Sequence, residues 1–167
     1  MPYDYKPFPY EAPPGLKHPE PRHRVVIVGA GPIGLAMALD LAGQGVASVL
    51  VDDNNVVSVG RRAICWSKRS LEILDRIGVG EQAVDMGVTW KVGRTYHRDE
   101  EVYSFDLLPE DGHKMPAFIN LQQYHLEEAL VSRLRALQHA GAPIDLRGGN
   151  RVSALDTHPD HVALTID

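Results

Sequence analysis

Gly29, Gly31 and Gly34 stand in the spacing G-x-G-x-x-G, directly after the β-branched run Val25-Val26-Ile27-Val28 and before a stretch rich in Ala and Leu. Each glycine has a mechanical use. Gly29 allows a tight turn off a strand, Gly31 lets a phosphate approach the backbone, and Gly34 lets a helix lie close on the strand. Pro32 and Ile33 fill the turn that opens the helix and are expected beside the same phosphates. The N-terminus of such a helix offers free N–H groups and a partial positive charge to an anion. A second apolar run, Val49-Leu50-Val51, ends on Asp52. That acid is placed to accept hydrogen bonds from a ribose 2′-hydroxyl and to repel a 2′-phosphate. The chemistry implied is dinucleotide binding, with pyrophosphate over the glycines, ribose on Asp52, and NADP excluded.

Strand, glycine turn, helix and strand make the first unit of an α/β dinucleotide-binding fold, with residues 25–28 read as a buried parallel strand. Further along, the pattern predicts a helix from about Ser67 to Ile77, stopped at Gly78, with Leu71, Leu74 and Ile77 on one face. Two strands, 90–97 and 101–107, flank the polar turn Arg98-Asp99-Glu100 and carry Tyr103, Phe105 and Leu107 on one side. An amphipathic helix runs from Asn120 to Ala140, with Leu126, Leu130, Leu134 and Leu137 as its stripe, and ends at Gly141 and Pro143. A short strand at 144–146 and a hairpin of 152–155 with 162–166 complete the reading.

The βαβ unit alone leaves FAD and NAD open. The chain continues Gly60-Arg61-Arg62-Ala63, then Leu71-Glu72-Ile73-Leu74-Asp75-Arg76-Ile77-Gly78, and later Asn120-Leu121-Gln122-Gln123-Tyr124-His125-Leu126-Glu127. This order resembles the N-terminal part of the FAD-dependent aromatic hydroxylases, single-component flavoprotein monooxygenases of the p-hydroxybenzoate hydroxylase type. It is most similar to the branch of 3-(3-hydroxyphenyl)propionate hydroxylase and pentachlorophenol monooxygenase. The resemblance covers residues 23–167. It implies a Rossmann-like FAD/NAD(P)-binding fold with a parallel sheet and an added antiparallel β layer, incomplete at the C-terminus. It further implies FAD as cofactor, NAD(P)H as transient electron donor, and hydroxylation of a small phenolic or other aromatic substrate with O2.

The same resemblance implies that Arg62, in its Arg-Ala context, contacts the flavin nucleotide. It implies that Gln123, four residues before Glu127, reaches the flavin side of FAD. Asp52 stands where the family has a ribose-binding Glu. Asp53 follows at the adenosine end, where many members have Arg, so one cation is missing there. The residues by themselves admit plainer readings. Arg62 fits a surface basic patch with Arg61, Lys68 and Arg69. Asn120 fits an N-cap with Gln123 at the third helical position, a capping box. Gln122 is a near neighbour of the same helix start. No acid, base or nucleophile stands out as catalytic. Two other functions stay open: an NAD-dependent Rossmann dehydrogenase or reductase, and a non-catalytic FAD-binding fragment.

The chain has 167 residues, 44% of them hydrophobic, enough for one core yet short for the family. It divides into a Pro/Tyr-rich tail, residues 1–22, and the FAD-binding part, 23–167. The tail holds seven of the twelve prolines and is expected as an extended arm. Seventeen basic residues against 22 acidic give a net charge of −5 and no basic run that could track nucleic acid. No apolar stretch approaches a membrane span, and the first residues lack the apolar core of a signal peptide. The lone Cys65 excludes an internal disulfide, suits a reducing cytoplasm, and is expected as a buried structural thiol between Ile64 and Trp66. None of the eight histidines shows metal-ligand spacing; His158-Pro159-Asp160-His161 reads as a hairpin turn. Because the resembled family continues well past the position of Asp167, the chain reads as a fragment. Its open sheet edge is then expected to be covered by a homo-oligomer or by a complementary downstream chain.

Overall fold

The computed structural model describes residues 22–57 and 62–167. In chain order it begins with β1 (Val26–Val28), α1 (Pro32–Gly43) and β2 (Ser48–Val51). There follow β3 (Cys65–Ser67), α2 (Lys68–Arg76), α3 (Gly80–Met86), β4 (Val88–Trp90), β5 (Val92–His97), β6 (Glu100–Asp106) and β7 (Phe118–Asn120). The chain closes with α4 (Gln123–His139), β8 (Ile144–Arg147), β9 (Val152–Thr157) and β10 (Val162–Ile166). Two compact units result: Met1–Gly60 together with Leu130–Asp167, and Arg61–Ala129.

The first unit is built on a parallel sheet of order β1-β2-β8. Val26 pairs with Val49 and Val28 with Val51 on one side of β2. Ser48 pairs with Ile144 and Val51 with Arg147 on the other. Helix α1 lies against all three strands and buries Leu35, Ala38 and Leu39. Its approach depends on Gly34, where a Cβ would stand 1.9 Å from the carbonyl oxygen of Gly29. The central strand β2 is buried at every residue, as the run Val49-Leu50-Val51 requires, and takes Ser48 in with it.

Strand β1 departs from the expected buried run. Only Ile27 is buried; Val26 is 38% exposed and Val28 59%. β1 is an edge strand, and α1 covers one of its faces. The other face opens on a groove of about 740 Å³ between Val26, Val28, Val49 and Val51 of the sheet and Leu155 and Leu164 of the hairpin. That hairpin, β9 with β10, is the one expected at 152–155 and 162–166, with Val162 opposite Thr157; it has two strands, where the resemblance implied a three-stranded meander. His158 donates its N–H to the His161 carbonyl at 2.8 Å, and the two imidazoles stack 4.4 Å apart. The four-residue segment is a turn, and among the described residues no cluster of metal-ligating side chains exists.

The second unit carries an antiparallel sheet of order β3-β7-β4 and the separate hairpin β5–β6. Helix α2 matches the predicted helix: Leu71 and Leu74 are buried, and Gly78 follows with φ +85°. The hairpin turns at Arg98, as expected, with Tyr103 and Phe105 rings 5.8 Å apart. Trp90 belongs to β4 rather than to the hairpin and stacks on Phe118 at 5.0 Å.

Two expectations fail here. Cys65 is exposed, not buried. It lies in a three-residue strand whose neighbour Trp66 takes the opposite face and donates its indole N–H to the Leu121 carbonyl at 2.7 Å. Asn120 is not a helix cap. It is the last residue of β7, and its Oδ1 accepts from the Trp90 indole at 3.0 Å and the Cys65 thiol at 3.2 Å. Helix α4 consequently starts at Gln123, and no capping box forms. Leu126, Leu130 and Leu134 are buried as the stripe predicts, while Leu137 is only half-buried near the helix end.

Candidate cofactor site

The glycine turn is shaped by what it lacks. Gly29 adopts φ +103°, a conformation that side-chain-bearing residues rarely enter, and its N–H donates to the Val51 carbonyl at 2.7 Å. A Cβ built on Gly29 or Gly31 would meet nothing within 4 Å, so the space over the turn is open. Gly31 is the N-cap of α1 and Pro32 opens the helix, where a missing N–H costs nothing. No acidic residue sits in that first turn to compete with an anion. Ile33 is exposed beside it. Three features therefore coincide: an open cradle, unshielded helical N–H groups, and the positive end of a twelve-residue helix.

Asp52 is fixed against this turn. Its Oδ2 accepts the Ala30 N–H at 2.5 Å, and its Oδ1 accepts the Asn54 N–H at 2.8 Å. Each oxygen keeps a second lone pair for a hydroxyl donor. Sequence reasoning placed Asp52 at the strand tip but missed Ala30, whose N–H ties the acid to the glycine turn. Asp53 is exposed alongside, with its carboxylate accepting from the Asn54 side chain at 2.6 Å.

Arg62 and Gln123 lie in the second unit. Arg62 is exposed. Its neighbours in the suspected basic patch are already engaged: Lys68 pairs with Glu72, and Arg69 reaches the same carboxylate at 3.1 Å. The Lys68 hydrogen bond, with Arg69 second, holds the Glu72 carboxyl below its ordinary range. Arg61 lies outside the described residues. Gln123 grips the residue after Arg62 from two sides. Its backbone N–H donates to the Ala63 carbonyl at 3.1 Å, and its Oε1 accepts the Ala63 N–H at 3.2 Å. Its Nε2 donates to Glu127 at 2.7 Å. Gln122 is exposed, and its carbonyl accepts the His125 N–H. Gly29, Gly31, Pro32, Ile33, Gly34, Asp52 and Asp53 are thus gathered in one unit, while Arg62 and Gln123 are joined through Ala63 in the other.

The profile of the family described as FAD binding domain matches residues 22–166. The chain belongs to that family. FAD, rather than NAD alone, is therefore the cofactor that the family match indicates. Among curated relatives, 6-hydroxy-3-succinoylpyridine 3-monooxygenase of Pseudomonas putida is 29% identical over 151 residues, which is 87% of this chain and 36% of that protein. Para-nitrophenol 4-monooxygenase from a Pseudomonas strain is 27% identical, covering 84% of this chain and 34% of that one. Of solved structures, p-nitrophenol 4-monooxygenase PnpA from Pseudomonas putida superposes with a TM-score of 0.75 at 28% identity, over 86% of this chain and 36% of PnpA. The flavin-dependent monooxygenase PieE, solved with FAD and substrate, gives 0.69 at 25% identity, over 88% of this chain and 27% of PieE. The chain thus spans about a third of the length of the relatives it matches. Among the described residues no helix is long and apolar enough to cross a membrane.

The residues fit the cofactor. An open glycine cradle at a helix N-terminus suits a pyrophosphate, and a carboxylate held beside it with lone pairs to spare suits a ribose.

Proposed function

We propose that this chain is the FAD-binding portion of a flavin-dependent monooxygenase that hydroxylates a small phenolic or other aromatic substrate with O2 and NAD(P)H. The observation that carries the proposal is Asp52, bonded to Ala30 across an open glycine turn in a chain of the FAD binding domain family. In this reading Gly29, Gly31, Pro32, Ile33 and Gly34 hold the pyrophosphate, Asp52 takes ribose hydroxyls, and Asp53 borders the adenosine end. Arg62 neutralises a phosphate charge, which a planar guanidinium does well, and Gln123 contacts the flavin side. FAD, when bound, supplies the redox chemistry, accepting electrons from NAD(P)H and passing them to O2. The residues of this chain bind and orient it; none is assigned as acid, base or nucleophile. The lone cysteine suits a reducing, cytoplasmic setting. The groove beside Val26 and Val28, apolar at its valines and leucines and rimmed by Arg22, Arg24, Arg147 and Asp160, suits a second copy or a complementary downstream segment.

Titration calorimetry with FAD, ADP, NAD and NADP tests the cofactor. FAD and ADP should bind and NADP should not; binding of NAD without FAD overturns the reading. Activity is tested by NAD(P)H oxidation over a panel of phenols, comparing the 167-residue chain with one extended downstream. The expected result is weak FAD binding and no substrate-dependent turnover by the shorter chain. Turnover by it would refute this division of labour.

A further inference from the structure

Glu127 is 1% exposed, yet the cofactor reading gives it no contact. A buried carboxylate is costly unless its hydrogen bonds are met, so its presence in an otherwise leucine-lined helix face calls for a partner. One such partner is Gln123, one turn earlier, whose Nε2 donates to Glu127 Oε1 at 2.7 Å.

The orientation of the Gln123 carboxamide is dictated from the other end. An amide N–H can only donate, so the atom facing Ala63 N–H must be the carboxamide oxygen. That turns the NH2 group toward Glu127, which must accept. The strand ladder explains why this matters. Strands β3 and β7 pair from Ser67↔Phe118 to Cys65↔Asn120, and the pairing continues through Leu121 N–H to the Ile64 carbonyl at 2.8 Å. Gln123 N–H to the Ala63 carbonyl is the next rung. There α4 begins, and the backbone of Gln123 can no longer supply an acceptor for Ala63 N–H. The side-chain oxygen of Gln123 takes over that bond and extends the ladder to the residue beside Arg62.

We propose that Glu127 is a positioning residue: it locks the Gln123 carboxamide, which clamps Ala63 and so sets the placement of Arg62 and Gln123 toward FAD. The proposal rests on the flavin-side roles given above to Arg62 and Gln123.

The test pairs amide exchange with FAD titration on the 167-residue chain. Glu127→Met keeps side-chain length and burial but removes the acceptor; Glu127→Gln restores one. Glu127→Met should speed exchange at Ala63 and weaken FAD binding, each by about tenfold, the scale of one hydrogen bond to a charged group. Glu127→Gln should recover most of both. In a Gln123→Ala background, Glu127→Met should add nothing further. Unchanged Ala63 exchange in Glu127→Met, or an effect fully additive with Gln123→Ala, overturns the proposal. If Glu127→Met does not fold, the unaltered chain decides. The Gln123 side-chain amide protons should exchange slowly, and exchange as fast as at exposed Gln122 overturns the clamp. Failure of the flavin reading looks different. Ala63 would still loosen in both Glu127→Met and Gln123→Ala, but neither would change FAD affinity.

Discussion

The glycine turn and the Ala63 clamp are built by opposite means. In the turn, side chains have been removed: the fold needs no Cβ at Gly34, and the open space over Gly31 needs none either. At the clamp, side chains are added: the Gln123 carboxamide and the buried Glu127 finish a hydrogen-bond ladder that the backbone cannot finish. The first device rests on the stereochemistry of six residues braced by the neighbouring strand at Val51 and Asp52, the second on residues sixty positions apart. The motif of the cradle can therefore be written into six consecutive residues, whereas completing the ladder at Ala63 requires tertiary structure.

Adding atoms to the turn should break the contrast most severely. Gly34→Ala places a Cβ 1.9 Å from the Gly29 oxygen. Backbone cannot yield cheaply there, so a loss of about 3 kcal/mol or more is expected in denaturant unfolding. Gly31→Ala should leave stability within about 0.5 kcal/mol and weaken FAD binding instead. Equal stability losses at the two glycines would show that the cradle is structural throughout.

Asp52→Ala comes next. It removes a charged acceptor from Ala30 and Asn54 and from the expected ribose, so FAD affinity should fall by about 1.5–3 kcal/mol per lost bond. Asp52→Asn, which keeps one acceptor oxygen, should lose less. Calorimetry showing the same FAD affinity in Asp52→Ala would remove the acid from the site.

Gln123→Leu sharpens the contrast from the other side. The Ala63 rung loses its side-chain acceptor, at a cost of about 1 kcal/mol or less because the exposed Ala63 N–H can turn to water. Amide exchange should quicken at Ala63 and Ile64 and stay unchanged at Ala30 in the glycine turn.

Acid has the mildest effect. The hydrogen bonds from Lys68 and Arg69 lower the Glu72 carboxyl in the folded chain. The link therefore contributes fully above the ordinary glutamate range and fades as pH falls through the lowered value. An NMR titration should find Glu72 below an ordinary glutamate, and fraying of α2 should begin only under that pH. An unshifted Glu72 would show that the ion pairs contribute nothing.

Legibility follows the same division. The βαβ unit could be read because a glycine turn, an Ala-rich helix and an acid at a strand tip each announce themselves within a few residues. Helices α2 and α4 could be read from apolar spacing. Strands β3, β4 and β7 could not, because three residues carry no period. Their absence misplaced Asn120, whose side chain serves Trp90 and Cys65 rather than a helix end, and it misjudged Cys65. The exposure of Val26 and Val28 was hidden for another reason: an apolar run does not reveal whether a strand is central or at an edge. Arg62 and Gln123 came into view through family resemblance, and their connection through Ala63 only through the structure.

The order of the sheet, β1-β2-β8, has a consequence for the birth of the molecule. Everything from Arg61 to Ala129 is spliced into the chain between one neighbour of β2 and the other. During synthesis at about 5–20 residues per second, β2 emerges beside β1 and waits roughly five to twenty seconds for β8. The inserted unit, whose hairpin and three-stranded sheet pair among themselves, can close during that interval. Until Ile144–Arg147 arrives, a strand that ends up buried at every residue has one flank bare, and that nascent edge is where a chaperone, or a neighbouring polysome, would first find it.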